Sequence, residues 1–131
     1  MVSEDLSWLL NGLVQRVPHT RSALLLSADG LVMAADGLDT DAADHLAALS
    51  SGLYSLARSA GKRFDDGGDV QQIVTELSNS LLFVSAAGRG ALLAVLAGRD
   101  ADVAVLGYEM TMMVKSVRTH LGASPRQSVG P

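Results

Sequence analysis

Two runs, LLFVSAA at residues 81–87 and ALLAVLAG at residues 91–98, are almost continuously apolar and are separated only by Gly88-Arg89-Gly90. A strand with one face in water alternates apolar with polar residues; a strand that reads apolar throughout is buried on both faces. The pair therefore predicts two strands joined by a tight turn, in a sheet covered on both sides by other elements. Gly88 and Gly90 lead from strand to strand and open no helix, so they do not fit a glycine-rich phosphate cradle.

The covering elements must be helices. Residues 38–61, LDTDAADHLAALSSGLYSLARSAG, form the longest candidate. Asp39 or Thr40 can cap the first turn, Asp41 and Asp44 lie where the helix dipole favours negative charge, and Arg58, Lys62 and Arg63 gather at the other end. Gly61 is expected to stop it. At about 100° per residue, Leu46, Leu49, Leu53, Leu56, Ala57 and Ala60 share an arc that reads as the core face. The opposite arc carries Ala48, Ser51, Gly52, Ser55 and Ser59, small where a solvated helix shows Glu, Lys and Gln. That arc is either a sparsely decorated solvent face or a close helix-on-helix contact. The second reading is preferred, most simply as a contact with its own copy in a two-fold dimer.

An N-terminal helix follows Ser3, with Leu6, Leu9, Leu10, Leu13 and Val17 on one arc, Trp8 off it, and Pro18 ending it. RSALLLSA at residues 21–28, Asp29-Gly30 and LVMAA from Leu31 read as a hairpin. Residues 70–77, VQQIVTEL, read as an edge strand because Gln71, Gln72, Thr75 and Glu76 interrupt its apolar residues. Asp102 can cap a final helix whose core face is Val103, Leu106, Gly107, Met110, Met113, Val114, Val117 and Leu121. Val105, Tyr108 and Met112 lie off that arc and suit a second contact, with the first helix. A mobile tail is expected at residues 122–131. The domain thus spans residues 4–121, of α/β (α+β) class and order α-β-β-α-β-β-β-α. Its five-stranded antiparallel sheet carries the long helix on one face and the terminal helices on the other, a three-layer α/β/α sandwich.

Chemistry is tested against this frame and largely set aside. With no cysteine, disulfides, thiol catalysis and cysteine metal sites are excluded. A net charge of −4 argues against nucleic acid, which needs a basic stripe. No apolar run approaches the roughly twenty residues that span a bilayer, and the acidic N-terminus does not resemble a signal peptide, so a soluble cytoplasmic protein without direct membrane insertion is expected. His19, His45 and His120 lie in no recognisable catalytic setting. There is no G-x-S-x-G elbow, H-E-x-x-H, Walker loop or dinucleotide fingerprint. Asp41 and Asp44 are explained by an acidic first turn. Asp65, Asp66 and Asp69 lack EF-hand spacing and its distal glutamate. A non-enzyme without metal or cofactor is expected.

SALLLSADGLVMAADG (residues 22–37), DAADHLAALSSGLYSLA (41–57) and ALLAVLAGRDADVAVLGYEMTMMVKSVRTHL (91–121) together resemble the roadblock/LC7 family, in its actinobacterial branch. The resemblance implies a profilin-like sandwich that forms homodimers, with long helices side by side and third strands joining two sheets into one. The implied interface holds Ala48, Ser51, Gly52, Ser55 and Ser59 with Val70, Gln71, Gln72, Ile73, Val74, Thr75 and Glu76. It further implies regulation of a small Ras-like GTPase in a bacterial system that includes a sensor-kinase-like protein, with membrane recruitment through those partners. Asp44, His45, Arg58 and Lys62 are the candidate partner-facing residues. Arg58, Arg63 and Arg89 are candidate arginine fingers by charge alone. Orientation of the GTPase's own groups is preferred, since the helix C-terminus accounts for Arg58 and Arg63 and a hairpin turn for Arg89. The alternative is a sensory module of profilin-like fold holding a small ligand between helix and sheet. A leucine-filled interior without convergent polar groups argues against it.

Overall fold

The computed structural model describes the backbone of residues 4–129 and the side chains of residues 6–119. Ser3 as a helix cap, and the side chains of His120 and Leu121, lie outside the described residues. The elements follow the expected order: α1 Glu4–Arg16, β1 Thr20–Ser27, β2 Val32–Asp36, α2 Thr40–Phe64, β3 Ile73–Glu76, β4 Ser80–Ala86, β5 Ala91–Gly98 and α3 Val103–Val129. All pairings are antiparallel, and the strands lie in the order β2-β1-β5-β4-β3.

This order explains the two apolar runs. β5 sits between β1 and β4, with Leu93 opposite Leu25 and Val95 opposite Phe83. Period-two alternation then divides each strand between two cores. Leu25, Phe83, Leu93 and Val95 meet Leu6, Leu10 and Leu13 of α1 and Leu106, Met110, Met113 and Val117 of α3. Leu24, Leu26, Leu82, Val84 and Leu92 face the other way, onto Ala43 and Ala47 of α2.

Several boundaries differ from expectation. α2 passes Gly61 and ends at Phe64. The Gly61 carbonyl accepts the N–H groups of Asp65 and Gly67, and a β-carbon there would collide with the Gly68 carbonyl oxygen. Gly61 thus serves the close return of the following loop, not the stop. β3 is limited to Ile73–Glu76, so Val70, Gln71 and Gln72 lie outside the ladder. Three consecutive residues without a regular alternation give the sheet no face to bury, and the ladder begins where Ile73 meets Val84. Helical backbone continues through Val129, where a tail from Gly122 was expected. Val103 is exposed at the start of α3, not part of its core face.

Candidate interaction surfaces

α2 carries the largest correction. It rests on the sheet through Ala43, Ala47 and Ser50, which are buried, with Leu46, Leu53, Tyr54 and Ala57 half-buried beside them. Small residues at i, i+4 and i+7 bring the helix axis close to the strands. Leu49, Leu56 and Ala60, expected in the core, instead face outward: Leu49 is 51% and Leu56 72% exposed, and Phe64 at the end of the helix is 81% exposed. The helix has two apolar arcs, and only the one with small side chains can approach the sheet.

The small-residue arc lies next to the outward leucines. Ala48, Gly52, Ser55 and Ser59 are exposed, and a β-carbon at Gly52 would meet nothing. Ser51 differs: it is half-buried, and its hydroxyl donates to the Ala28 carbonyl at 2.6 Å, tying α2 to the β1–β2 turn. At the outer edge of the sheet, Val74 of β3 is 49% exposed. Ile73 and Thr75 are half-buried, Glu76 is exposed, and Arg99 holds its carboxylate at 3.1 Å. An outward apolar helix face and an open strand edge thus occur together in one monomer.

Asp44, His45, Arg58 and Lys62 are all exposed on α2, yet they are not one site. Asp44 and Lys62 stand about 27 Å apart along the axis at 1.5 Å per residue. Arg58 has neighbours of a different kind. With Tyr54, Asp69, Gly88, Arg89 and Arg118 it lines a cavity of about 480 Å³ beside the β4–β5 turn. Arg63 lies elsewhere, its guanidinium 5.6 Å from the centre of the Phe64 ring. Arg118 was not singled out from sequence; it comes to Arg58 and Arg89 only through the fold.

A second groove, of about 440 Å³, runs between α1 and α3. Trp8, 74% exposed, and Met112 line it; Val105 and Tyr108, expected to share a second contact with α1, are exposed and do not line it. Arg16 crosses its neighbourhood to Glu109 at 3.0 Å. His19, at φ 70°, and His45 are both exposed. Among the described residues, no three His, Asp or Glu side chains are grouped to hold a metal ion, and no helix is long and apolar enough to cross a membrane.

These features define a class: a three-layer α/β/α sandwich whose distinctive chemistry lies on its surfaces, an open strand edge and an outward apolar helix. The chain belongs to the Roadblock/LC7 domain family, whose sequence model matches residues 6–97. A Roadblock/LC7 domain from Streptomyces avermitilis is 71% identical at a TM-score of 0.87, over 88% of this chain and 96% of that one. A second from the same organism is 40% identical at a TM-score of 0.71, over 87% and 99%. MglB of Myxococcus xanthus, only 12% identical, shares the fold at a TM-score of 0.82 over 92% and 97%. No curated protein matches significantly.

Proposed function

We propose that this chain is a non-catalytic, homodimeric regulator or scaffold of a small Ras-like GTPase, acting in the cytoplasm alongside a sensor-kinase-like protein and reaching membranes only through such partners. The observation that carries the dimer is the outward face of α2. Leu49 and Leu56 lie two turns apart on one exposed face of the helix, and contiguous exposed apolar surface marks a contact site. A second copy satisfies both features at once. Leu49, Gly52 and Leu56 meet their counterparts across a two-fold axis, flanked by Ala48, Ser55 and Ser59, while Ile73, Val74, Thr75 and Glu76 extend one sheet into the next. Ser51 serves its own subunit, and Val70, Gln71 and Gln72 flank the paired edge.

Membership in the Roadblock/LC7 family supports the GTPase partner. Interiors filled by leucine and alanine on both sides of the sheet favour this reading over a ligand held between helix and sheet. Regulation proceeds by orienting the GTPase's own groups, with exposed Asp44, His45, Arg58 and Lys62 available to the partner.

Three measurements test the reading. Sedimentation of the wild-type chain gives a dimer, and Leu49→Asp with Leu56→Asp gives a folded monomer. A lone wild-type subunit at high concentration would remove the dimer. A pull-down with nucleotide-loaded small GTPases from the same genome neighbourhood captures one of them. With that GTPase, replacing Arg58, Arg63 and Arg89 together by alanine leaves any stimulated hydrolysis within about tenfold. A loss of about a thousandfold would instead identify an arginine finger.

A further inference from the structure

At one end of the sheet the positive side chains are engaged. Arg99 pairs with Glu76 at 3.1 Å and reaches the Leu77 carbonyl at 3.2 Å, and Arg21 donates to the Asn79 carbonyl at 2.9 Å. At the other end they are not. Arg58 of α2, Arg89 of the β4–β5 turn and Arg118 of α3 line the cavity of about 480 Å³, and none has an ion pair or side-chain hydrogen bond among the described residues. Asp69 is the one carboxylate residue lining it, leaving a surplus of two positive charges in a chain whose net charge is −4.

Two further observations show that the arrangement is built. Arg89 stands at φ 42°, between Gly88 at 79° and Gly90 at 73°, in a left-handed stretch closed by the Ala91 N–H to the Gly88 carbonyl at 2.8 Å. Such a turn favours Asn, Asp or Gly at that position, and a long cationic side chain there has no packing reason, since Arg89 is exposed. Gly88 makes room for Arg118: a β-carbon at Gly88 would lie 2.9 Å from the Arg118 γ-carbon and 3.0 Å from its Nε. The stem of Arg118 therefore crosses the turn that carries Arg89.

We propose that this cavity binds a phosphoryl group, carried by a small molecule or a lipid headgroup and held by Arg58, Arg89 and Arg118. Guanidinium forks match the oxygens of a phosphate in pairs, and a dianionic phosphoryl group balances the surplus charge. The volume falls within the range of small-ligand sites, about 300–1,000 Å³. The recognition is by side chains from three elements, unlike a glycine-rich loop; Val70 and Gln71, which flank the proposed paired edge, line the same cavity.

Calorimetric titration of the 131-residue chain with pyrophosphate, at ionic strength matched with chloride, tests it directly. Saturable binding is expected. Arg89→Gly, which suits the left-handed turn, and Arg58→Ala, on an exposed helix position, should each weaken it about tenfold or more while circular dichroism stays unchanged. Sedimentation with phosphatidylcholine vesicles, with and without phosphatidic acid, separates the sources. Binding only to phosphatidic acid vesicles, abolished by Arg89→Gly, assigns the phosphoryl group to a lipid. A flat response to both probes overturns the proposal. So does binding that survives both substitutions, or tighter binding to a glutamate-rich peptide than to pyrophosphate.

Discussion

Arg89 shows how much a single backbone angle can say. A non-glycine residue in the left-handed region carries strain of roughly 1–2 kcal/mol. Replacing it with glycine relieves that strain but adds unfolded-chain entropy worth roughly 0.4–1 kcal/mol. The first effect is larger, so Arg89→Gly should stabilise the chain by about 0.5–1 kcal/mol in urea unfolding. Destabilisation would mean that the arginine side chain contributes contacts to the fold. Residue roles set by near neighbours were legible in the sequence. Asp39 caps α2 by accepting the Ala42 N–H at 2.8 Å, and Asp102 caps α3 by accepting the Val105 N–H at 3.1 Å. The role of Gly61 was not, because a loop that folds back onto the helix determines it. Nor was the grouping of Arg58, Arg89 and Arg118, which lie in three segments distant in sequence and meet only once β4 and β5 place their turn between α2 and α3.

Among the elements, α2 separates hydrophobicity from burial. Periodicity identified an amphipathic helix and could not say which of two weakly polar arcs meets the sheet, since leucine scores higher than alanine on any apolar scale. Packing distance decided otherwise: Ala43, Ala47 and Ser50 are buried, and Leu49 and Leu56 are not. The consequence is measurable in a chain kept monomeric by Leu49→Asp. There, Ala47→Leu inserts three carbons into a filled contact and should cost about 1–3 kcal/mol. Leu56→Ser, on the outward face, should stay within about 0.5 kcal/mol. The reverse order would restore the leucine arc to the core. α1 raised no such ambiguity, since its one apolar stripe, Leu6, Leu9, Leu10 and Leu13 with Val17 just past its end, is buried apart from half-buried Leu9. β3 was legible as an edge but not in length, because the pairing with β4, not composition, sets where its ladder begins.

For the whole molecule, the antiparallel sheet and the helices on both its faces followed from two apolar runs, whereas the strand order did not. Placing β1 beside β5 joins the first strand to the last, a long-range pairing that no local pattern encodes. That order leaves β3 at an open edge, and α2 keeps an apolar face turned outward, so the monomer has surface to bury and a strand to pair. If two copies do so, folding and association are linked, and stability depends on protein concentration. The thermal midpoint of the wild-type chain should therefore rise as its concentration is increased, because mass action favours the dimer over two unfolded chains. The Leu49→Asp, Leu56→Asp chain should unfold at a midpoint independent of concentration, at or below the lowest wild-type value. Scanning calorimetry over a hundredfold range of concentration, on the order accessible where a micromolar dimer dissociates, distinguishes these behaviours. A wild-type midpoint that stays fixed across a range in which sedimentation shows dissociation would mean that the outward leucines of α2 contribute nothing to holding two subunits together.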